Sequence, residues 1–317
     1  FFDDSIIQIL FRIISEFSSF KITLFHCLVC INSLCSIDKF DAFFFSSLDD
    51  FLFFSKKFEY PQAIKMTNEF LLTLSTKSTI QEVHLNKISK FIIYFATNPI
   101  QNYDLNSTVD FINSFISISP IHLKIISENG FFDCFPQICE SNQSYSNCLI
   151  ELIANITSSP FSFQFLAQPF ILSKIIDVFS LKICDSIESQ KVDTIQILDQ
   201  LFSNLSQDQE IFPTFLDAFK SSIIIAKLCS YLNYHSYHLK SEIRNFFLKL
   251  IQLKDELIIT NIIENQGIEK IVENDDFDDP DVMISMLQTC FDSLTSEQHK
   301  EYIAHKIEEV KEIINES

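Results

Sequence analysis

Between Tyr145 and Thr157 the apolar residues Cys148, Leu149, Leu152, Ile153 and Ile156 recur at steps of one, three and four. That spacing places their side chains on one face of an α-helix. The twelve residues before Phe131 are punctuated differently: they read SPIHLKIISENG, from Ser119 to Gly130. Ser119 suits a helix N-cap, where its hydroxyl can accept from an orphan amide, and Pro120 suits the first helical position, which needs no donor. Gly130 suits the left-handed residue that closes such a helix. Three helices are therefore predicted in succession, at about Pro120 to Glu128, Phe131 to Glu140 and Tyr145 to Thr157. Further along, Pro280 opens a helix predicted to end near Leu294, and Glu297 to Glu316 reads as a charged helix suited to a terminal cap.

The same order recurs. Phe111 to Pro120, FINSFISISP, aligns with Glu151 to Pro160, ELIANITSSP, each ending in the Ser-Pro that opens the next helix. IISENGFF (125–132) and IIENQGIE (262–269) form a second echo, built around Gly130 and Gly267. Taking one apolar residue near the end of each long amphipathic segment gives Leu34, Leu74, Ile116, Ile156, Leu205, Leu250 and Leu294. Successive anchors are 40 to 49 residues apart, near the period of about 40 to 47 of armadillo and HEAT repeats. One unit cannot bury its apolar face alone, whereas stacked units share a continuous core. The fold expected is all-α, a right-handed α-solenoid of about seven repeats forming one domain over residues 1–317.

The run GFFDCFPQICESNQSYSNCLIELIANIT from Gly130 resembles the armadillo repeat, whose second helix follows a glycine and whose third ends in a small-Asn-apolar step. That step is Ala154-Asn155-Ile156 here, and Ser203-Asn204-Leu205 one unit later. HEAT repeats are a close alternative. The resemblance implies that the third helices line a concave binding face, where the Asn of the step bonds the backbone of an extended peptide. Its ladder would be Asn32, Thr73, Phe115, Asn155, Asn204, Lys249 and Ser293. One turn earlier stand Leu28, Glu69, Phe111, Glu151, Gln200, Asn245 and Thr289. The residues expected to bind a partner are Asn155, Asn204, Glu151, Gln200, Asn245 and Lys249. The chain has no Trp, so the nuclear-signal binding of the importins does not carry over. The function implied is that of a protein-interaction scaffold taking an extended or basic protein or peptide. Two rivals are a HEAT-like structural subunit binding through ridges or ends, and a membrane-associated protein using Phe-rich stretches such as FDAFFFSSLDDFLFFS (40–55).

Composition narrows this further. The chain of 317 residues has only two glycines, against the usual share of about 7%. Hairpin-rich and phosphate-cradling folds, which need positive φ or close backbone approach, are disfavoured. Acidic residues outnumber basic ones 42 to 23, for a net charge of −19, which argues against nucleic acid as the ligand and complements a basic partner. Nine irregularly spaced cysteines suggest buried thiols in a reducing compartment, the cytoplasm or nucleus. The sequons at Asn106, Asn155 and Asn204 read as chance matches. The apolar run Ile22 to Cys35 is too short for a membrane span and is expected to be a helix buried on nearly all sides. The chain opens on Phe-Phe-Asp-Asp without methionine or a signal-peptide order, and a segment of a longer protein is expected.

No chemistry stands out. His26, Cys27, Cys30 and Cys35 lack the second ligand pair of a structural zinc site, and His235 with His238 is equally isolated. The acidic loop from Glu273 to Asp281 lacks the central Gly of an EF-hand and reads as a solvated turn. No nucleophile elbow or matched base is present, so no enzyme, cofactor or metal is expected.

Overall fold

Where apolar residues step by three and four, the chain is helical. The computed structural model describes residues 4–17, 19–58, 60–98, 105–141, 147–158, 166, 168–185, 188–220, 223–273 and 280–316. Among them are nineteen α-helices, one short 3-10 turn and no strand. They fall into two compact units, Phe1–Leu166 and Ala167–Ser317. The first holds α1 (Asp4–Phe17), α2 (Lys21–Cys35), α3 (Asp41–Ser46), α4 (Leu48–Ser55), α5 (Pro61–Ser75), α6 (Glu82–Thr97), α7 (Leu105–Ile118), α8 (Pro120–Glu128), α9 (Phe131–Ser141) and α10 (Asn147–Thr157). The second holds α11 (Pro169–Asp185), α12 (Glu188–Leu205), α13 (Phe212–Lys220), α14 (Ile224–Tyr231), α15 (Tyr237–Gln252), α16 (Glu256–Glu264), α17 (Gly267–Glu273), α18 (Pro280–Ser293) and α19 (Glu297–Glu316).

Each unit is built from two rows. In the first, α2, α5, α7 and α10 pack each on the next, and α4, α6 and α9 do the same beside them. In the second, α12, α15, α18 and α19 form one row and α11, α14 and α16 the other. The core lies between the rows. All seven anchors are buried there, six in the last turns of α2, α5, α7, α10, α12 and α15 and Leu294 one residue past α18. Phenylalanine supplies much of the bulk: Phe44, Phe51, Phe70, Phe115, Phe131, Phe215 and Phe246 are fully buried. In the Phe-rich stretch 40–55, Phe40, Phe44, Phe45 and Phe51 are spent on this core, with Phe51 4.7 Å from Phe70 between ring centroids. Phe53 alone of that stretch is exposed among the large hydrophobic side chains, at 59%.

Local punctuation works as the side chains dictate, with two differences. Ser119 occupies the N-cap of α8 in extended backbone, but its hydroxyl caps no amide. It bonds His122 Nδ1 at 2.8 Å instead. The other ring nitrogen, Nε2, lies 3.3 Å from the Ser75 carbonyl oxygen, which can only accept. His122 is therefore the Nε2–H tautomer, accepting from Ser119 and donating to Ser75, and so ties α8 to the end of α5. Burial lowers its pKa from the ordinary histidine value, in keeping with a neutral ring.

The two glycines do not play one role. Gly130 has φ +92 and closes the turn after α8 as expected. Gly267 opens α17 in ordinary backbone, and Gln266 before it takes the positive φ of 59. Gly267 is required by space: an added Cβ would lie 2.7 Å from both Cys229 Sγ and Ile262 Cγ2.

The apolar run 22–35 forms α2, but it is buried on one side only. Leu24, Cys27, Leu28, Ile31, Leu34 and Cys35 face the core, while Ile22, His26, Val29 and Cys30 are exposed. α2 packs chiefly on α1 and α5, and its remaining side is left exposed. Among the described residues no single helix is long and apolar enough to cross a membrane. Ser159-Pro160, the second copy of the helix-opening pair, and residues 274–279 of the acidic loop lie outside the described residues.

Candidate partner-binding face

The residues expected to meet a partner lie on α10 of the first unit and on α12 and α15 of the second. On α10, Glu151 is exposed and Asn155 half-buried. They stand one turn apart and therefore share a face. Asn155 Nδ2 donates to Asn113 Oδ1 at 2.5 Å and to Ser117 Oγ at 3.2 Å, both on α7. Asn113 Nδ2 in turn donates to Glu151 Oε2 at 3.4 Å. The four side chains form a lattice across the α7–α10 seam, with the Asn155 amide spent on its neighbour helix.

This lattice corrects the ladder. Phe111 and Phe115, aligned with Glu151 and Asn155 at a spacing of 40, are core residues, 4% and 0% exposed. The rungs that face α10 are Asn113 and Ser117, each 38 residues earlier. α7 and α10 pack so that the side chains that reach across lie 38 residues apart rather than 40. Leu28 is likewise core. Asn32 donates to the Met66 carbonyl of α5 at 3.1 Å, another bond across a seam of the row. Thr73 and Ser293 turn back on their own helices, to the Glu69 and Thr289 carbonyls.

In the second unit Gln200 and Asn245 are exposed and Asn204 is half-buried. Lys249 does not stand ready for a ligand: its Nζ lies 2.6 and 2.7 Å from the two carboxylate oxygens of Asp199 on α12. A parallel rung runs from Gln196 Nε2 to Glu242 Oε1 at 2.9 Å. Asn113, Ser117, Asp199, Gln196 and Glu242 were invisible to a motif-based reading. Only Gln196 and Glu242 lie one turn from expected site residues, Gln200 and Asn245; Asp199 adjoins Gln200, and Asn113 and Ser117 carry no such signal.

Next to this face, α15 and α18 part around a cavity of about 390 Å3. Leu248, Ile251, Val282 and Met286 supply apolar lining, and Gln252 and Asp281 polar groups. Gln252 follows Asn245 and Lys249 at helical steps of seven and three, so the cavity opens on the same side of α15 as the polar stripe.

Six of the described thiols, Cys27, Cys35, Cys134, Cys139, Cys229 and Cys290, are buried, and Cys30 is exposed. Burial pushes Cys35, Cys229 and Cys290 up to about 12 and Cys134 to about 11. On α2, Cys27 and Cys35 face the core while His26 and Cys30 face outward, so the four residues weighed as zinc ligands are divided between two sides of one helix. Compared with known protein families and with curated proteins, the chain matches none.

Proposed function

We propose that this protein is an interaction scaffold of the armadillo-like or HEAT-like helical-repeat type, and that each unit presents its row of third helices to an extended, basic protein segment. The observation that carries the reading is the α12–α15–α18 row. It sets Gln200 on α12 and Asn245 on α15 outward, and between α15 and α18 it holds an apolar-lined cavity that has Asp281 among its walls. A lysine or arginine side chain matches such a site, with an aliphatic stem for the apolar lining and a cationic head for the carboxylate. Amides at Gln200 and Asn245 suit the backbone of an extended chain. The net charge of −19 favours encounter with a basic partner. On α10, Glu151 adds a carboxylate to the corresponding edge of the first unit.

The test is fluorescence anisotropy with extended peptides of alternating Lys and apolar residues, compared with neutral peptides of the same length. Saturable binding is expected for the basic set. It should weaken by about tenfold, or about 1.4 kcal/mol, in an Asp281→Lys, Gln200→Ala, Asn245→Ala variant whose circular dichroism is unchanged. Equal binding of basic and neutral peptides, or a variant that binds as the parent does, sinks the reading.

A further inference from the structure

A second surface, built on α4 and α6 of the first unit, is of opposite sign to the chain's net charge. Phe53 and Tyr94 are 59% and 37% exposed. Lys57 Nζ sits 4.3 Å from the Phe53 ring centroid, and Lys56 Nζ sits 4.6 Å from that of Tyr94, so Lys56 spans the seam between the two helices. Lys90, also exposed, precedes Tyr94 by one helical turn and shares its face. Lys87 on α6 is already committed, 2.6 Å from Asp49. Lys56, Lys57 and Lys90 form no ion pair among the described residues.

Helix electrostatics accounts for part of this. Lys56 and Lys57 follow the C-terminus of α4, where positive charge is favourable. It calls neither for Lys90 nor for Phe53 and Tyr94 on the surface of a protein that puts so many of its phenylalanines inside. Lys56, Lys57, Lys87 and Lys90 against Asp49, Asp50 and Glu82 leave α4, the two residues after it and α6 net positive on a chain where acids outnumber bases 42 to 23, with Phe53 and Tyr94 as an apolar centre.

We propose that this face docks an acidic segment of another protein, its carboxylates meeting Lys56, Lys57 and Lys90 and an apolar side chain covering Phe53. Charge complementarity selects the sign of the partner, and screening selects its size. At physiological ionic strength charges are felt over about 8 Å, so a short segment lying on the patch meets its local positive field. An anionic bilayer or a nucleic acid extends past the patch and meets the net charge of −19. This surface lies on α4 and α6, apart from the row that carries the proposed basic-partner face, so the two readings stand or fall separately.

The probe is a fluorescein-labelled dodecapeptide of Glu and Asp with one central Phe, read by anisotropy against the full chain at low and physiological salt. Salt-sensitive, saturable binding is expected, weaker by about tenfold when the central Phe is replaced by Ala and in the Phe53→Ala protein. It should be lost in both the Lys56→Glu, Lys57→Glu, Lys90→Glu protein and the corresponding triple Gln protein. All substituted side chains are exposed or half-exposed, and unchanged circular dichroism confirms the fold of each variant. The proposal is overturned if the acidic peptide does not saturate or if the triple variants bind it as the parent does. It is equally overturned if phosphatidylserine vesicles or a single-stranded RNA oligonucleotide bind the patch more tightly than the peptide.

Discussion

Replacing Gly267 by Ala tests the packing of the second unit at its tightest point. The added Cβ would stand 2.7 Å from Cys229 Sγ, 2.7 Å from Ile262 Cγ2 and 3.0 Å from the Ile262 carbonyl oxygen. Ordinary contacts between carbon atoms lie at about 3.5 to 4.0 Å, so the neighbours must retreat by about 1 Å. Neither can do so freely: Cys229 and Ile262 are both 0% exposed, and Ile262 is β-branched and stiff at its first torsion. Overpacking of this kind costs about 1 to 3 kcal/mol. Alanine's better helix propensity returns at most about 1 kcal/mol, less at a first helical position. A net loss of about 1 to 2 kcal/mol is therefore expected, seen as a lower urea midpoint at unchanged slope in the circular dichroism at 222 nm. The Cys229→Ala, Gly267→Ala double variant locates the clash. With Sγ gone, its loss should fall short of the sum of the single losses by about 1 kcal/mol. Gly130→Ala, strained by its φ of +92 instead, should show no such coupling to Cys229. A Gly267→Ala protein with the parent's midpoint, or strictly additive losses with Cys229→Ala, would refute the argument.

Two further outcomes follow from named contacts. His122 has its pKa lowered by burial, so the unfolded chain binds the proton more readily than the folded one. Its contribution to stability is present above the ordinary histidine pKa of about 6.5 and is lost as pH falls from there towards the folded value. Urea midpoints measured from pH 7.5 to 5 should fall less steeply in His122→Gln than in the parent, and parallel curves would show that the Ser119–His122–Ser75 link does not titrate. The Asp199–Lys249 pair, with side chains 30% and 41% exposed, should give a coupling of about 0.5 to 1 kcal/mol in a double-alanine cycle, reduced in 1 M salt. Zero coupling at low salt would mean that the two-oxygen geometry contributes nothing.

What could be read from the sequence was the local chemistry of helix ends. Pro120 and Gly130 mark α8, Pro280 opens α18, and Glu297 to Glu316 is α19, because ring constraints, positive φ and helical charge patterning are decided by the residues themselves, whereas the Ser119 hydroxyl turned to His122. What could not be read depends on neighbours. The burial of α2 on one side is set by its place in a row, which no pattern within Ile22 to Cys35 records. Gly267 resembles Gly130 in sequence, but Cys229, 38 residues before it, dictates the need for a missing Cβ. The packing of α10 on α7 moved the true rungs from Phe111 and Phe115 to Asn113 and Ser117, because only the packed helices define which side chains cross a seam.

The rungs also constrain the proposed function. A side chain that already bonds the next helix has little left to offer a partner, so Asn155 holds α10 to α7 and Lys249 holds α15 to α12. On the proposed function, recognition then falls to Gln200 and Asn245, which remain outward, and to the cavity between α15 and α18. The two roles separate by measurement. Replacing Asn155 removes donors to Asn113 and Ser117 at a half-buried seam and should cost about 1 kcal/mol of stability while leaving basic-peptide affinity nearly intact. Replacing Gln200 and Asn245, which are exposed, should leave the urea midpoint within about 0.5 kcal/mol of the parent and weaken the peptide. If Asn155→Ala instead abolishes peptide binding without a stability loss, the amide contacts the ligand directly, and the seam lattice gives way when the partner arrives.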